Sequence, residues 1–206
     1  MRLAIADPPY PPFYSERHDL AAGGARLTSR SRARRWYGNA GRETTGRNRP
    51  ADFHPDAGAW DDPARHRALL EQLLDEFDGW AIATSPDGLE CYRPIPVPAR
   101  LLVWHKLRAV PTAHRIATSW EPVVLYPPKG RRGRPAADQP GRTYGDQVPD
   151  VLTAAPPGAG FAGAKPAAWT RWVLDALSYD PDVDEVVDMF PGSGAVTAAI
   201  AQGVLL

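Results

Sequence analysis

Five short, predominantly apolar runs constrain this chain more than any other feature: Leu3–Ala6, Trp80–Thr84, Leu101–Lys106, Trp120–Tyr126 and Val183–Met189. Each is too short for a packed helix and too apolar for a strand with one wet face, which leaves strands covered on both sides. The segments between them supply covers. Asp61-Asp62-Pro63 reads as a helix start, an Asp cap with Pro in the first turn. Leu69, Leu70, Leu73, Leu74 and Phe77 follow at helical spacing before Asp78-Gly79 ends the pattern. Pro166 begins a second helix with Trp169, Trp172, Val173, Ala176 and Leu177 on one face, and 195–202 reads as a third. Strands alternating with helices predict an α/β domain: an open, mostly parallel sheet of about five strands with helices on both faces. Pro122 lacks a backbone donor and so predicts an edge or irregular position for the fourth run.

Two stretches break the alternation. Residues 15–60 show no sustained period and are rich in Gly, Arg, Ser and Asn, as expected of an inserted loop. Residues 127–157 return to Pro, Gly and Arg, as expected of a flexible surface excursion. Both are basic within a chain of formal net charge zero. Arg26 to Arg49 holds eight arginines against Glu43, and Lys129 to Arg142 holds five basic residues against Asp138. Such stretches suit phosphate contact, or are merely solvated. In "RSRARRWYG", Trp36 and Tyr37 among Arg30, Arg32, Arg34 and Arg35 combine cations with rings, a pairing suited to phosphate and base stacking; equally, the rings could pin the loop to the domain. At 206 residues the chain suits a single domain spanning 1–206. Its one cysteine, Cys91, excludes an internal disulfide framework and fits a reducing compartment. No apolar segment approaches membrane-span length, so a cytoplasmic location is expected. The five histidines are scattered, and no metal site is expected.

The chemistry concentrates at the two ends. Leu3–Ala6 stops on Asp7-Pro8-Pro9-Tyr10, because proline cannot donate to a ladder, so Asp7 stands where a strand meets a crevice. Near the other end an apolar strand stops at Asp188. The turn Phe190-Pro-Gly-Ser-Gly194 then leads directly into a helix of small residues. Gly192 and Gly194 would let a ligand approach the backbone at a helix N-terminus, although a tight strand-to-helix turn has the same composition. Thr197 stands where the third glycine of a dinucleotide fingerprint would be.

Together these stretches resemble the amino methyltransferases that carry a methyl group from S-adenosyl-L-methionine to an exocyclic base nitrogen. Asp7-Pro8-Pro9-Tyr10 is similar to their catalytic tetrapeptide, and Asp188-x-Phe190-x-Gly192-x-Gly194 to their cofactor loop. Lys165-Pro166 is similar to the segment preceding that loop in the permuted order, catalytic motif first. Trp104-His105-Lys106 and Ser119 to Tyr126 look like later strands of the family. The resemblance implies a minimal Rossmann-like methyltransferase sheet and site-specific transfer to adenine N6 of a flipped base. Asp7 and the Pro8 carbonyl would orient the amine, with Pro9 rigid beside them and Tyr10 stacked on the base. Asp188, Phe190, Gly192, Gly194 and Lys165 would hold S-adenosyl-L-methionine. Arg30, Arg32, Arg34, Arg35, Trp36 and Tyr37 would meet DNA, with RNA left open, in a 15–60 target-recognition region. Cytosine-N4 transfer is the close chemical alternative. A non-catalytic nucleic-acid-binding subunit is the alternative of another class. The strand whose acid usually holds the cofactor ribose is not found after Gly194, so an open sheet edge, covered by a second copy or a partner subunit, is expected.

Overall fold

A computed structural model of the chain describes residues 1–19, 24–31, 48–49, 55–110, 116–131, 147–157, 160–161, 163–192 and 194–201. Six strands form the main sheet: β1 (Arg2–Ala6), β5 (Gly79–Ala83), β6 (Arg100–Val110), β7 (Thr118–Tyr126), β8 (Val151–Thr153) and β10 (Glu185–Asp188), in the order β10-β1-β5-β7-β6-β8. Parallel pairing joins β1 to β10, β1 to β5, and β6 to β8; β7 runs antiparallel to both neighbours. The outcome is an α/β fold on a mixed, mostly parallel sheet. It has six strands where about five were expected, because Val151–Thr153, inside the supposed excursion 127–157, docks on β6 as a short edge. The expected inserted loop likewise contains structure: β2 (Phe13–Asp19) and β3 (Gly24–Arg30) form an antiparallel hairpin, and β4 (Asn48–Arg49) pairs with β9 (Gly160–Phe161).

Pro122 proves to lie in an interior strand, β7, between β5 and β6. An extended residue points its N–H and C=O to the same side. The Pro122 carbonyl accepts from Thr84 N at 3.1 Å, one residue past the end of β5, so the missing donor falls where that ladder has already finished.

The helices are α1 (Pro63–Glu76), α2 (Ala167–Ala176) and α3 (Ala195–Ala201). Asp62 caps α1 through its side chain, which accepts from Ala64 N at 2.9 Å, with Pro63 in the first turn. The two faces of the sheet carry separate cores. Leu3, Ile5, Ala81, Ala83, Leu102, Trp104, Val123 and Leu125 meet Trp169, Trp172 and Val173 of α2 and Val196 of α3. Ala4, Ala6, Trp80, Ile82 and Val124 meet Leu69, Leu70 and Leu73 of α1. Adjacent parallel strands β1 and β10 therefore send their outgoing connections to helices on opposite faces. Such a switch point opens a crevice beyond the carboxyl ends of the two strands.

Candidate functional site

The two motifs at the ends of the sequence meet at that switch point. Ile5 pairs with Asp188 in the parallel ladder, and Met189 N donates to Ile5 O at 2.9 Å. Asp7-Pro8-Pro9-Tyr10 and the Asp188–Gly194 turn thus leave neighbouring strands at the same end. Gly192 and Gly194 have φ of 38° and 72°, the left-handed region where a Cβ is costly. A Cβ built on Gly194 meets nothing within 4 Å, so open space flanks this turn. Asp188 accepts from Phe190 N at 3.2 Å. Burial raises the Asp188 pKa above the ordinary carboxylate value, the Phe190 N–H opposes this, and the Asp7 charge adds to it. The Phe190 ring turns to the opposite face and meets Trp60 edge-on at 5.0 Å; a cavity of about 260 Å³ lies there, lined by Trp60, Arg65, Leu69, Gln72, Met189 and Phe190.

Strand alternation builds the other half of the site. Asp7 continues the phase of Leu3 and Ile5, Lys106 that of Leu102 and Trp104, and Glu121 precedes Val123 and Leu125, so all three charged side chains share the α2 face. Because β7 runs against β5, its start lies at the end where β1 and β6 finish. Only alanines of β5, Ala81 and Ala83, separate Asp7 from Glu121 on that face, and long side chains can cross them. Lys165, immediately before α2, fills the space between. Its Nζ donates to Asp7 Oδ2 at 2.7 Å and to Tyr10 OH at 3.0 Å, and lies 3.4 Å from Glu121 Oε2. Tyr10 OH donates to Glu121 Oε2 at 2.8 Å, and Lys106 Nζ binds the other carboxylate oxygen, Oε1. The Lys165 ammonium also lies within 5.8 Å of the Tyr10, Trp104 and Trp169 ring centres.

These charges titrate in opposite directions. Burial raises the Asp7 pKa; Lys165 pulls it down by charge and hydrogen bond, Glu121 pushes it up, and the net direction is upward. Burial also pushes Glu121 upward, but Lys165 and Lys106 together outweigh it and hold this carboxyl below the ordinary value. The arrangement offers one partly accessible carboxylate of raised basicity, backed by a buried ion-paired one, beside a glycine turn.

Of the residues singled out in the sequence, Asp7, Tyr10 and Lys165 are in contact, and Asp188, Phe190, Gly192 and Gly194 stand on the adjoining strand exit. Pro8 is buried and Pro9 half-buried in the loop between them. Lys165, expected among the cofactor ligands, touches Asp7 and Tyr10 of the Asp-Pro-Pro-Tyr stretch. Arg30 ends β3, while Arg32, Arg34, Arg35, Trp36 and Tyr37 lie outside the described residues. Glu121 and Lys106 were missed as site residues. Their signal was a charge at a core-facing strand position, which is rare without a partner. Among the described residues no helix is long and apolar enough to cross a membrane, and no three His, Cys, Asp or Glu side chains cluster to hold a metal ion. No protein-family model matches the chain, and no curated protein matches it in sequence.

Proposed function

We propose that this chain is an S-adenosyl-L-methionine-dependent DNA methyltransferase acting on adenine N6. The observation that carries the reading is the parallel pairing of Ile5 with Asp188, which sets the Asp-Pro-Pro-Tyr loop and the glycine turn at adjoining strand ends of the switch point. The turn fits a cofactor: both glycines hold left-handed backbone, and open space lies beside Gly194. Asp188, Phe190, Gly192 and Gly194 would hold S-adenosyl-L-methionine, which when bound supplies an electrophilic sulfonium methyl group.

The chain's own residues would do the rest. An adenine amino group is a poor nucleophile while its lone pair is delocalised into the ring. The Asp7 carboxylate would accept one N6 proton and the Pro8 carbonyl the other, drawing the nitrogen toward tetrahedral geometry. Tyr10 would stack on the flipped base. The raised pKa of Asp7 suits it to receive the proton that the amine sheds once it is methylated. The basic region Arg26 to Arg49 would contact phosphate and select the target, and a second copy or another subunit would cover the β10 edge.

One observation favours the alternative of a non-catalytic nucleic-acid-binding subunit: Lys165 already occupies Asp7 at 2.7 Å, so the acceptor is engaged before any base arrives. Calorimetry with S-adenosyl-L-methionine separates the two, since the enzyme binds it and the subunit alone does not. Nucleoside mass spectrometry after incubation with DNA and with RNA then reads N6-methyladenine against N4-methylcytosine and identifies the polymer. Asp7→Ala should abolish transfer while leaving cofactor affinity within about threefold, a loss confined to interactions made in the transition state. Absence of any methylated base with bound cofactor and a partner-free chain would refute the enzymatic reading of the isolated chain.

A further inference from the structure

Asp7 stands at the accessible end of a row of alternating charges: Asp7, Lys165, Glu121, Lys106. The exposed fraction of the side chain is 27% at Asp7, 6% at Lys165 and 11% at both Glu121 and Lys106. A single buried ammonium therefore serves two carboxylates, of which the outer one, Asp7, is the more exposed. Glu121 is the hub, with Lys106 on one oxygen and both the Tyr10 hydroxyl and Lys165 on the other. Lys165 lies at 2.7 Å from Asp7 and 3.4 Å from Glu121, and with no second carboxylate it would be left to Asp7 alone, in a charge-assisted pair harder for a neutral base amine to displace.

We propose that Glu121 is a positioning residue: by competing with Asp7 for Lys165 and fixing the Tyr10 hydroxyl, it weakens the hold of Lys165 on the Asp7 carboxylate, so that an N–H donor from the substrate can displace it, and aims the Tyr10 ring. The proposal rests on the reading of Asp7 as the acceptor of the base amine. The groups facing Asp7 come from every neighbouring element: Lys165 ahead of α2, Tyr10 on its own loop, Glu121 on β7 with Lys106 on β6 behind it, Asp188 on β10 and Tyr92 on the turn after β5. Glu121→Gln removes the competing negative charge and leaves Lys165 to Asp7, which moves Asp7 protonation to lower pH. Lys106→Met frees Glu121 to draw Lys165 away, which moves it to higher pH.

The test is a carbon-13 NMR titration of the Asp7 side-chain carboxyl in the full chain, assigned with Asp7→Asn, without cofactor or nucleic acid. Shifts of at least about half a pH unit, down for Glu121→Gln and up for Lys106→Met, are expected of charges at these distances. In a methyl-transfer assay the acid limb of the pH profile should move with them. For Glu121→Gln, kcat should fall roughly tenfold with cofactor affinity unchanged, and Glu121→Asp should recover part of the loss. Midpoints that stay put or move the same way in both variants would overturn the proposal. So would failure of both variants to fold, which would make the row scaffolding. The expected titration shifts in the two variants, together with a wild-type chain that transfers no methyl group, would uphold Glu121's hold on Asp7 and refute the methyltransferase reading, so the two failures are distinguishable.

Discussion

Asp184→Asn should remove a pH-dependent staple that holds β10 to the sheet. Asp184 lies one residue before β10, and its side chain is fully buried among donors. The Met1 ammonium reaches Oδ1 at 2.9 Å, Asp180 N donates to Oδ2 at 2.8 Å, and Arg131 binds both oxygens in a fork. Burial alone would raise this carboxyl, but Arg131, the Met1 ammonium and the Asp180 amide together lower it from 3.8 to about 2. A carboxylate whose folded pKa is depressed stabilises the native state above its unfolded pKa and loses that contribution as pH falls through the folded value. A shift of almost two units corresponds to about 2 kcal/mol at pH 7, with most of it gone by pH 2. Urea unfolding at pH 7, 4, 3 and 2 reads this directly. The wild type should exceed Asp184→Asn by about 2 kcal/mol at pH 7, and the two stabilities should converge toward pH 2. Using the difference between the chains cancels Asp7, Asp175 and Asp188, whose raised pKa values act in the opposite sense. A gap that is equally wide at pH 2 would show that Asp184 contributes shape rather than charge and would refute the reasoning.

Three further outcomes follow from single contacts. Ser178 ends α2 with φ of 55°, in a cap where Tyr179 N donates to Leu174 O at 3.0 Å and Ser178 N to Asp175 O at 2.9 Å; Ser178→Gly should raise stability by about 1 kcal/mol in urea unfolding. A Cβ on Gly88 would lie 2.3 Å from Thr84 Oγ1 and 3.0 Å from Pro11 Cγ, so Gly88→Ala should cost about 2 kcal/mol and disturb the loop carrying Asp7, read by urea unfolding. Cys91 is buried and burial raises its pKa, so a thiol reagent at neutral pH should react with it only at the rate at which the native state opens, and a fast burst would contradict its placement.

Elements with local causes were legible before their partners were known. Asp62-Pro63 started a helix where an Asx side chain and a proline have to, and Leu69, Leu70 and Leu73 marked its buried face. The runs Leu3–Ala6 and Val183–Met189 had to be strands because four to seven residues cannot make a packed helix. Strand order depends on contacts distant in sequence, so the sixth strand escaped notice: β8 has three residues, half-exposed or exposed, and only its pairing with β6 defines it. Pro122 misled for a related reason. Its missing donor costs a single bond, opposite Thr84, one residue past the end of β5, and leaves the rest of the ladder intact. The charged row lay between these extremes. Phase alone assigns Asp7, Lys106 and Glu121 to the faces of Ile5, Trp104 and Val123, and 107–119 holds no helical pattern, so β6 and β7 had to pair antiparallel and bring Lys106 and Glu121 to one end. What remained hidden was that β5 would stand between Asp7 and Glu121 offering only Ala81 and Ala83. That narrow alanine strip lets one lysine reach both carboxylates. A larger side chain at Ala83 should therefore part them, raising Asp7 protonation to higher pH as Lys165 is held back, with little change at the glycine turn across the switch point.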